Sequence, residues 1–127
     1  MPENPPLIAI VDDEVSMLRA LGRLLRSAGF AAVTYTSAEE FLRFGMQQHL
    51  ACLVLDVQLP IMTGLDLLDH LAGSGETLPV IIITARTDEQ TRLHAERAGV
   101  VAYLRKPFEE DALLDAIQRA LVRDSGH

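Results

Sequence analysis

The sequence predicts a doubly wound α/β domain, in which five parallel strands form one sheet with helices on both of its faces. Five short apolar runs rich in β-branched residues alternate with longer stretches in which apolar residues recur every three or four positions. Because a strand, a helix and a parallel strand in succession form a right-handed crossover, this alternation predicts a single parallel sheet.

The five predicted strands are short, and Val, Ile, Leu and Ala make up most of each one. They span residues 7–11, 31–35, 52–55, 80–84 and 101–104. Their apolar residues are nearly continuous rather than alternating with polar ones, which is typical of parallel strands covered on both sides. We therefore expect the strands to be buried on both faces.

The first two helices and the fourth have clear start or stop signals. The first ends before Gly29, a residue suited to the left-handed conformation that closes many helices. Its apolar residues at helical spacing are Val15, Leu18, Leu21, Leu25 and Ala28. Capping-box patterns predict that the second helix begins at Ser37, with Glu40, and the fourth at Thr87, with Gln90.

The remaining two helices are predicted from their apolar spacing. The third is expected to begin near Gly64 and the fifth to follow Pro107. The residues expected to be buried are Leu65, Leu68 and Leu71 in the third helix, and Leu113 or Leu114, Ile117 and Leu121 in the fifth.

Length and composition limit the class of protein. The 127 residues suit one domain, which we place at residues 7–122, with a disordered leader at 1–6 and a tail at 123–127. A net charge of −7 argues against direct binding of nucleic acid by this segment. No apolar run is long enough for a membrane helix and no signal peptide is recognisable, so we expect a cytoplasmic protein that does not contact membranes. Cys52 is the only cysteine and is expected to be a passive packed thiol.

The informative polar residues follow the predicted strands. Asp12 and Asp13 follow the first strand, Asp56 the third, Thr84 ends the fourth and Lys106 comes just after the fifth. Because the carboxyl ends of parallel strands meet at one edge of a sheet, these residues should lie together where ligands bind in such folds. Each also has a simpler explanation, because Asp is a common helix cap and Thr a common strand residue.

Three aspartates at one edge would repel one another by about 4 kcal/mol for each pair about 4 Å apart, so a positive charge is needed nearby. Mg²⁺ fits best, since it prefers oxygen ligands and is commonly held by one or two carboxylates and a substrate phosphate. The four histidines share no ligand spacing, and we expect them to be surface or structural residues. They are His49, His70, His94 and His127.

Lys106 is the only lysine in the chain, and all other side chains that are fully positively charged at neutral pH are arginines. A compact ammonium on a flexible stem suits contact with a single phosphoryl oxygen. The Lys106–Pro107 bond is a candidate for the cis form, which would aim the lysine over the strand ends.

At these positions the sequence resembles the receiver domains of bacterial two-component response regulators. The matching segments are Val11-Asp12-Asp13-Glu14, the stretch from Leu53 to Gly64 that contains Asp56, Ile83-Thr84-Ala85, and Tyr103-Leu104-Arg105-Lys106-Pro107-Phe108. The resemblance covers residues 7–122 and is closest in character to the receivers of FixJ/NarL-type transcriptional regulators. It implies a flavodoxin-like (βα)₅ fold with strand order 2-1-3-4-5.

The resemblance also implies roles for the site residues. Asp56 would accept a phosphoryl group from a phosphohistidine of a sensor kinase. Asp13, Asp56 and the backbone carbonyl of Gln58 would hold Mg²⁺, with Asp12 acting through a water. Lys106, Thr84 and the backbone N–H groups of Gln58 and Ala85 would bind the phosphoryl oxygens. The domain would catalyse its own phosphorylation and dephosphorylation without being an enzyme for another substrate.

The resemblance further implies a switch at Thr84 and Tyr103. The Thr84 hydroxyl would move to the phosphoryl group and Tyr103 would swing inward; the simpler alternative is a half-buried Tyr103 with its hydroxyl in water. The fourth helix, fifth strand and fifth helix would then form the altered surface, with a possible homodimer across it. Many relatives carry an acidic residue at the position of Ala102, so the sequence departs from the family pattern on this surface. The charged residues of the surface can equally be explained as solvated side chains. These residues are Arg97, Arg105, Glu109, Glu110 and Asp111.

Two rival functions remain open. A Mg²⁺-dependent aspartyl phosphohydrolase would ordinarily need a second aspartate for acid/base work and an inserted cap, and no insertion is long enough for one. A receiver-like module that signals without phosphate would not need the acidic residues and the lone lysine. The output is expected to be transcriptional regulation through a DNA-binding domain absent from this chain, or protein contact by a stand-alone receiver.

Overall fold

The structure is a computed structural model, which describes residues 4–75, 77–86 and 88–125. Five parallel strands form one sheet in the order β2-β1-β3-β4-β5. They are β1 (Leu7–Val11), β2 (Ala31–Tyr35), β3 (Cys52–Asp56), β4 (Val80–Thr84) and β5 (Ala102–Arg105). The predicted fold and strand order are confirmed, with β3 and β5 each ending one residue later than the sequence suggested.

The helices cover both faces of this sheet. They are α1 (Val15–Ser27), α2 (Ala38–Phe44), α3 (Gly64–Gly73), α4 (Glu89–Arg97) and α5 (Glu110–Ser125), with a short 3₁₀ helix at Gly45–Gln47. One apolar layer packs the sheet against α2, α3 and α4, and the other packs it against α1 and α5. The last helix continues beyond Val122, the predicted end of the domain. The predicted leader and tail reach outside the described residues and stay predictions.

Burial on both faces holds for the central strands only. Every residue of β3 and β4 is buried, and in β1 only Leu7 is partly exposed. Most residues of β2 and all of β5 are at least partly exposed, because these two strands lie at the edges of the sheet. The expectation of two-sided burial was therefore wrong for the edge strands. Cys52 is buried in β3, as expected.

Helix α1 ends as predicted, because Gly29 adopts the left-handed conformation with φ 96°. Its buried residues are Leu18, Leu21, Gly22 and Leu25. Val15 and Ala28, which were expected on this face, are exposed. Both lie at the ends of the helix, beyond the part that packs on the sheet.

The rotation of α3 is set by Gly64. A Cβ atom at this position would lie only 2.3 Å from the Asp56 carbonyl oxygen, so the first turn of the helix packs against the backbone of β3. Residues three, four and seven positions later then face the core, and these are Leu67, Leu68 and Leu71. Leu65 was expected in the core and is only half-buried, because one position after Gly64 it lies to the side of this buried face.

In α5 the buried residues are Leu113, Ala116, Ile117 and Ala120. This resolves the open choice at the start of the helix in favour of Leu113. Leu121, which was also expected in the core, is only partly buried. Two alanines, Ala116 and Ala120, lie in the buried face instead.

The helix caps differ partly from the sequence patterns. Ser37 accepts a hydrogen bond from the Glu40 N–H, as expected, but the Glu40 carboxylate accepts from the Thr36 N–H at 2.7 Å rather than from Ser37. For α4, Thr87 lies outside the described residues and the helix is capped by Asp88, which accepts from the Thr91 N–H. The prediction of Thr87 as the cap was therefore wrong, because the adjacent carboxylate fills the same role one residue later.

The Lys106–Pro107 peptide bond is cis, as predicted. No helix in the described part of the chain has an apolar stretch long enough to cross a membrane.

Candidate functional site

The site is formed where the central strands end. Asp12 follows β1, Asp56 is the last residue of β3, and the two strands are direct neighbours with Val11 opposite Leu55. On the other side of β3, Asp56 is opposite Ile83, which precedes Thr84 at the end of β4. The parallel arrangement therefore brings to one edge the residues that the sequence places far apart.

Asp12, Asp13 and Asp56 form a compact acidic cluster. Each offers a carboxylate oxygen, and these three oxygens all lie within 4.8 Å of one another. Asp12 and Asp56 are buried, whereas Asp13 is exposed and opens the cluster to solvent. Within the described residues this is the one group of acidic, histidine or cysteine side chains with the proximity for a metal ion.

Lys106 neutralises part of this acidic cluster. Its Nζ donates to Asp12 Oδ2 at 2.9 Å and to Asp56 Oδ2 at 3.0 Å. It also lies 3.7 Å from a Glu14 carboxylate oxygen. Burial lowers the pKa of Lys106, but the hydrogen bonds and negative charges of Asp12 and Asp56 outweigh this and raise it above its ordinary value. The ammonium is therefore charged at neutral pH.

Asp56 is held from two sides in a buried position. Its Oδ1 accepts a hydrogen bond from the Gln58 N–H at 2.9 Å, while its Oδ2 accepts from Lys106. Burial raises the pKa of Asp56 above its ordinary value, and the hydrogen bonds from Gln58 and Lys106 only partly offset the effect. This carboxylate is thus less strongly solvated than an exposed one and is fixed in orientation.

The donor set of the acidic cluster suits Mg²⁺. All three side chains offer carboxylate oxygens, which are hard ligands, and no cysteine or histidine takes part. The exposed Asp13 leaves room for the waters that Mg²⁺ retains. Soft-metal sites are not expected from the histidines, since His49 and His70 are exposed and His94 pairs with Asp69 at 2.7 Å, while His127 lies outside the described residues.

Thr84 lies beside the acidic cluster at the end of β4. Its side chain is buried, and its Oγ1 accepts a hydrogen bond from the Arg86 N–H at 2.9 Å. The Thr84 carbonyl accepts from the Lys106 N–H at 2.8 Å, which joins the end of β4 to the segment carrying the lysine. Ala85, the next residue, is exposed at the same edge.

Tyr103 is half-buried in β5, opposite Ile82 of β4. It packs against the apolar layer under α2, α3 and α4. Its hydroxyl is buried and has no hydrogen-bond partner among the described residues. Burial raises the pKa of this hydroxyl, with a further contribution from the charge of Asp88. The alternative in which the hydroxyl lies in water is therefore wrong for this structure.

An open groove of about 610 Å³ adjoins the acidic cluster. Asp13 and Gln58 line one end, and Arg86, Asp88 and His94 line the part beside α4. The groove thus provides an open approach beside the acidic cluster, and its lining includes side chains of both charges.

Of two polar contacts near the site that the sequence analysis missed, one has no clear signal in the sequence and the other has one. The Asp69 and His94 pair joins α3 to α4, and these residues are 25 positions apart in the chain. Asp88 is the cap of α4, and its spacing to Thr91 was a signal that could have found it. The charged residues predicted for the outer surface are exposed and form no ion pairs among the described residues: Arg97, Arg105, Glu109, Glu110 and Asp111.

Comparison with known proteins identifies the same family as the sequence motifs that form the site. A sequence profile of the response regulator receiver domain matches residues 8–118. The chain is 41% identical over 118 residues to Nodulation protein W of Bradyrhizobium diazoefficiens, covering 93% of this chain and 52% of that protein. It is 37% identical over 113 residues to the transcriptional regulatory protein FixJ of Rhizobium meliloti, covering 89% of this chain and 55% of that protein. The crystal structure of a response regulator receiver protein from Burkholderia phymatum matches with a TM-score of 0.80 and 42% identity, over 91% of this chain and 94% of that one.

The chain therefore belongs to the receiver domain family of two-component response regulators. Receiver domains are signalling domains that use Mg²⁺ at an acidic pocket, and the aspartate cluster described above fits that requirement. The chain spans about half the length of the curated relatives it matches.

Proposed function

We propose that this domain accepts a phosphoryl group on Asp56 from the phosphohistidine of a sensor kinase, in a reaction that requires Mg²⁺. The observation that carries the proposal is the position of the Asp56 carboxylate, which is buried and held between the Gln58 N–H and the Lys106 ammonium beside Asp12 and Asp13. A carboxylate that is fixed and poorly solvated is suited to act as a nucleophile.

In the transfer, a carboxylate oxygen of Asp56 forms a bond to phosphorus while the bond between phosphorus and the donor imidazole nitrogen breaks. The imidazole keeps the electron pair of that bond and takes up a proton as it leaves. Positioning and charge neutralisation provide most of the catalysis of such a step, so no general base is needed at Asp56.

The metal would be held by Asp13, Asp56 and the backbone carbonyl of Gln58, with Asp12 acting through a water. When bound, Mg²⁺ supplies positive charge to the phosphoryl oxygens as they approach the carboxylates. Lys106, whose Nζ lies 3.0 Å from Asp56 Oδ2, would supply a second positive charge. The backbone N–H groups of Gln58 and Ala85 would donate to the remaining oxygens.

The response to phosphorylation is proposed to begin at Thr84 and Tyr103. A phosphoryl group adds about 1.5 to 2 negative charges, to which the Thr84 hydroxyl would donate a hydrogen bond. Changing the ratio of the active to the inactive conformation from about 1:99 to about 99:1 requires about 5.5 kcal/mol. Two or three charge-assisted hydrogen bonds of about 1.5–3 kcal/mol each can supply this energy. The Tyr103 hydroxyl is buried and has no partner among the residues that the structure describes, which supports a second position for this side chain.

The output is proposed to be transcriptional regulation, because FixJ is named as a transcriptional regulator and this chain covers only 55% of its length. The surface formed by α4, β5 and α5 would then change and form a homodimer contact. A stand-alone receiver that acts by protein contact is the alternative.

The proposal is tested by incubating the protein with acetyl phosphate and Mg²⁺ and measuring intact mass. We expect one labile phosphate, which is lost in Asp56→Asn and retained in Asp115→Asn, a variant of an exposed carboxylate on α5. Thr84→Ala should still accept phosphate but give a weaker output. Labelling of Asp56→Asn at the wild-type level would contradict the proposal, and sustained turnover of an added phosphomonoester would favour a phosphohydrolase.

A further inference from the structure

A single polar pair joins α4 to α3 in the described part of the chain. His94 Nε2 on α4 lies 2.7 Å from Asp69 Oδ1 on α3, and the two residues are 25 positions apart. The other side-chain hydrogen bonds and ion pairs of α4 among the described residues lie within the helix, from Arg92 to Glu89 and Glu96, or connect it to its own cap. The pair is therefore the polar contact that ties α4 to a neighbouring element.

Apolar packing holds α4 only lightly. Its buried residues, Thr91 and Ala95, are small, so they bury little apolar area against the rest of the fold. The open groove beside the acidic cluster extends to His94, and a second open groove of about 660 Å³, lined by Leu93 and Arg97 among others, also adjoins His94. The pair thus bridges α3 and α4 where solvent reaches the boundary between them.

The imidazole ring of His94 can bind Asp69 in two charge states. A carboxylate only accepts hydrogen bonds, so Nε2 carries the hydrogen of this contact whether the ring is neutral or protonated. In the neutral ring Nδ1 then has no hydrogen, and protonation adds one there without disturbing the contact at Nε2. The positive charge that the ring gains turns the hydrogen bond into an ion pair, which is stronger.

The other charged groups around His94 do not replace Asp69 as its partner. Those that line the two grooves with it are Asp13, Arg86, Asp88, Asp69 and Arg97. Arg86 and Asp88 form an ion pair with each other, and Asp13 belongs to the acidic cluster at one end of the first groove. Arg97 follows His94 by three positions on α4 and is exposed, so solvent and salt screen its repulsion of a protonated ring.

We propose that the Asp69–His94 pair is a pH-dependent brace, which holds α4 against α3 more firmly when the ring is protonated. Imidazole is the side chain that ordinarily changes its charge between about pH 5 and about pH 8. The inference concerns the unphosphorylated domain and does not rest on the proposed function. Because α4 borders both the groove beside the acidic cluster and the surface proposed for the output, acidity would bias the position of this helix.

The test measures by NMR how strongly the Ala95 amide is protected from hydrogen exchange, relative to an unstructured chain, in EDTA at about pH 5.5 and about pH 8. His94→Gln keeps a side-chain N–H that can donate to Asp69 but cannot gain a charge. We expect equal protection of the two proteins at the higher pH and about threefold stronger protection of the wild type at the lower pH. The factor is small because the two side chains of the pair are 39% and 60% exposed, and exposed ion pairs are weak. Asp69→Asn should abolish the same pH response, since it keeps an acceptor oxygen but loses the charge.

His70→Gln is the matched control, because His70 is exposed on α3 and its side chain forms no hydrogen bond or ion pair among the described residues. It should respond to pH as the wild type does. Equal protection of the wild type and His94→Gln at both pH values would refute the brace, as would loss of the response in His70→Gln. The nitrogen chemical shifts of the His94 ring give a second check, since the neutral ring must carry its hydrogen on Nε2. A hydrogen on Nδ1 at the higher pH would overturn the proposal.

Discussion

Replacing Lys106 with Met would leave two buried carboxylates without their main counter-charge. The ammonium lies 2.9 Å from Asp12 Oδ2 and 3.0 Å from Asp56 Oδ2, and the exposed fractions of these two side chains are 0% and 5%. At an effective dielectric constant of about 20, each attraction is worth about 5.5 kcal/mol before desolvation is subtracted. Removing one partner from such a buried group typically costs about 3–5 kcal/mol in the free energy of unfolding.

The loss should depend on pH in a defined direction. Burial already raises the pKa of Asp56, and Lys106→Met removes one of the hydrogen bonds that lower it. A carboxyl group whose pKa is raised in the folded state weakens the fold as pH rises through that pKa, because the unfolded chain releases the proton more easily. The free energy of unfolding of Lys106→Met should therefore be only slightly below that of the wild type near pH 4, and this deficit should reach about 3 kcal/mol near pH 7.

Urea unfolding followed by far-UV circular dichroism measures this difference, and it suits a chain that contains no tryptophan. Arg105→Met is the matched control, since it removes the same charge from an exposed neighbour that forms no ion pair among the described residues. Adding Mg²⁺ should reduce the deficit of Lys106→Met, because a cation at the aspartates replaces the missing charge. Equal stability of the two variants in EDTA at neutral pH would refute the role given to Lys106.

Three further substitutions test the packing and strain of the described fold. Gly64→Ala should lower the free energy of unfolding by at least about 2 kcal/mol, since its Cβ would meet the Asp56 carbonyl at 2.3 Å, whereas Gly73→Ala, with nothing within 4 Å, should not. Ile61→Asn should raise the free energy of unfolding by about 1 kcal/mol, because Ile61 is 94% exposed with φ 68°, a conformation that Asn tolerates better. Tyr103→Phe should raise the free energy of unfolding by about 1 kcal/mol, because it removes a buried hydroxyl that has no partner within the described part of the chain, and a lower value in urea unfolding would show that the hydroxyl is satisfied.

The fold could be predicted from the sequence because its signals are local and repeated. Apolar runs of strand length, helical spacing and residues such as Gly29 act within a few positions of the chain, and each indicated the correct element. The detailed rotation of the helices could not be predicted in the same way. It depends on contacts such as that of Gly64 with the backbone of β3, which made Leu67 a core residue in place of Leu65.

The candidate site, like the fold, was predictable from the sequence in part and depended on tertiary contacts for the rest. Parallel strands end at one edge, so the sequence alone placed Asp12, Asp56, Thr84 and Lys106 near one another, and the resemblance assigned their chemistry. Only the tertiary structure decided how their charges are balanced: Lys106 bridges Asp12 and Asp56, while Asp13 remains exposed.

The sequence by itself determined the order of elements, the family and the residues at the rim of the sheet, since these follow from periodicity and from motifs that are contiguous in the chain. The tertiary structure decided which side chains form ion pairs or hydrogen bonds with one another at and near that rim. Contacts such as those of Arg86 with Asp88 and of His94 with Asp69 depend on the direction of individual side chains, and periodicity carries no information about that direction.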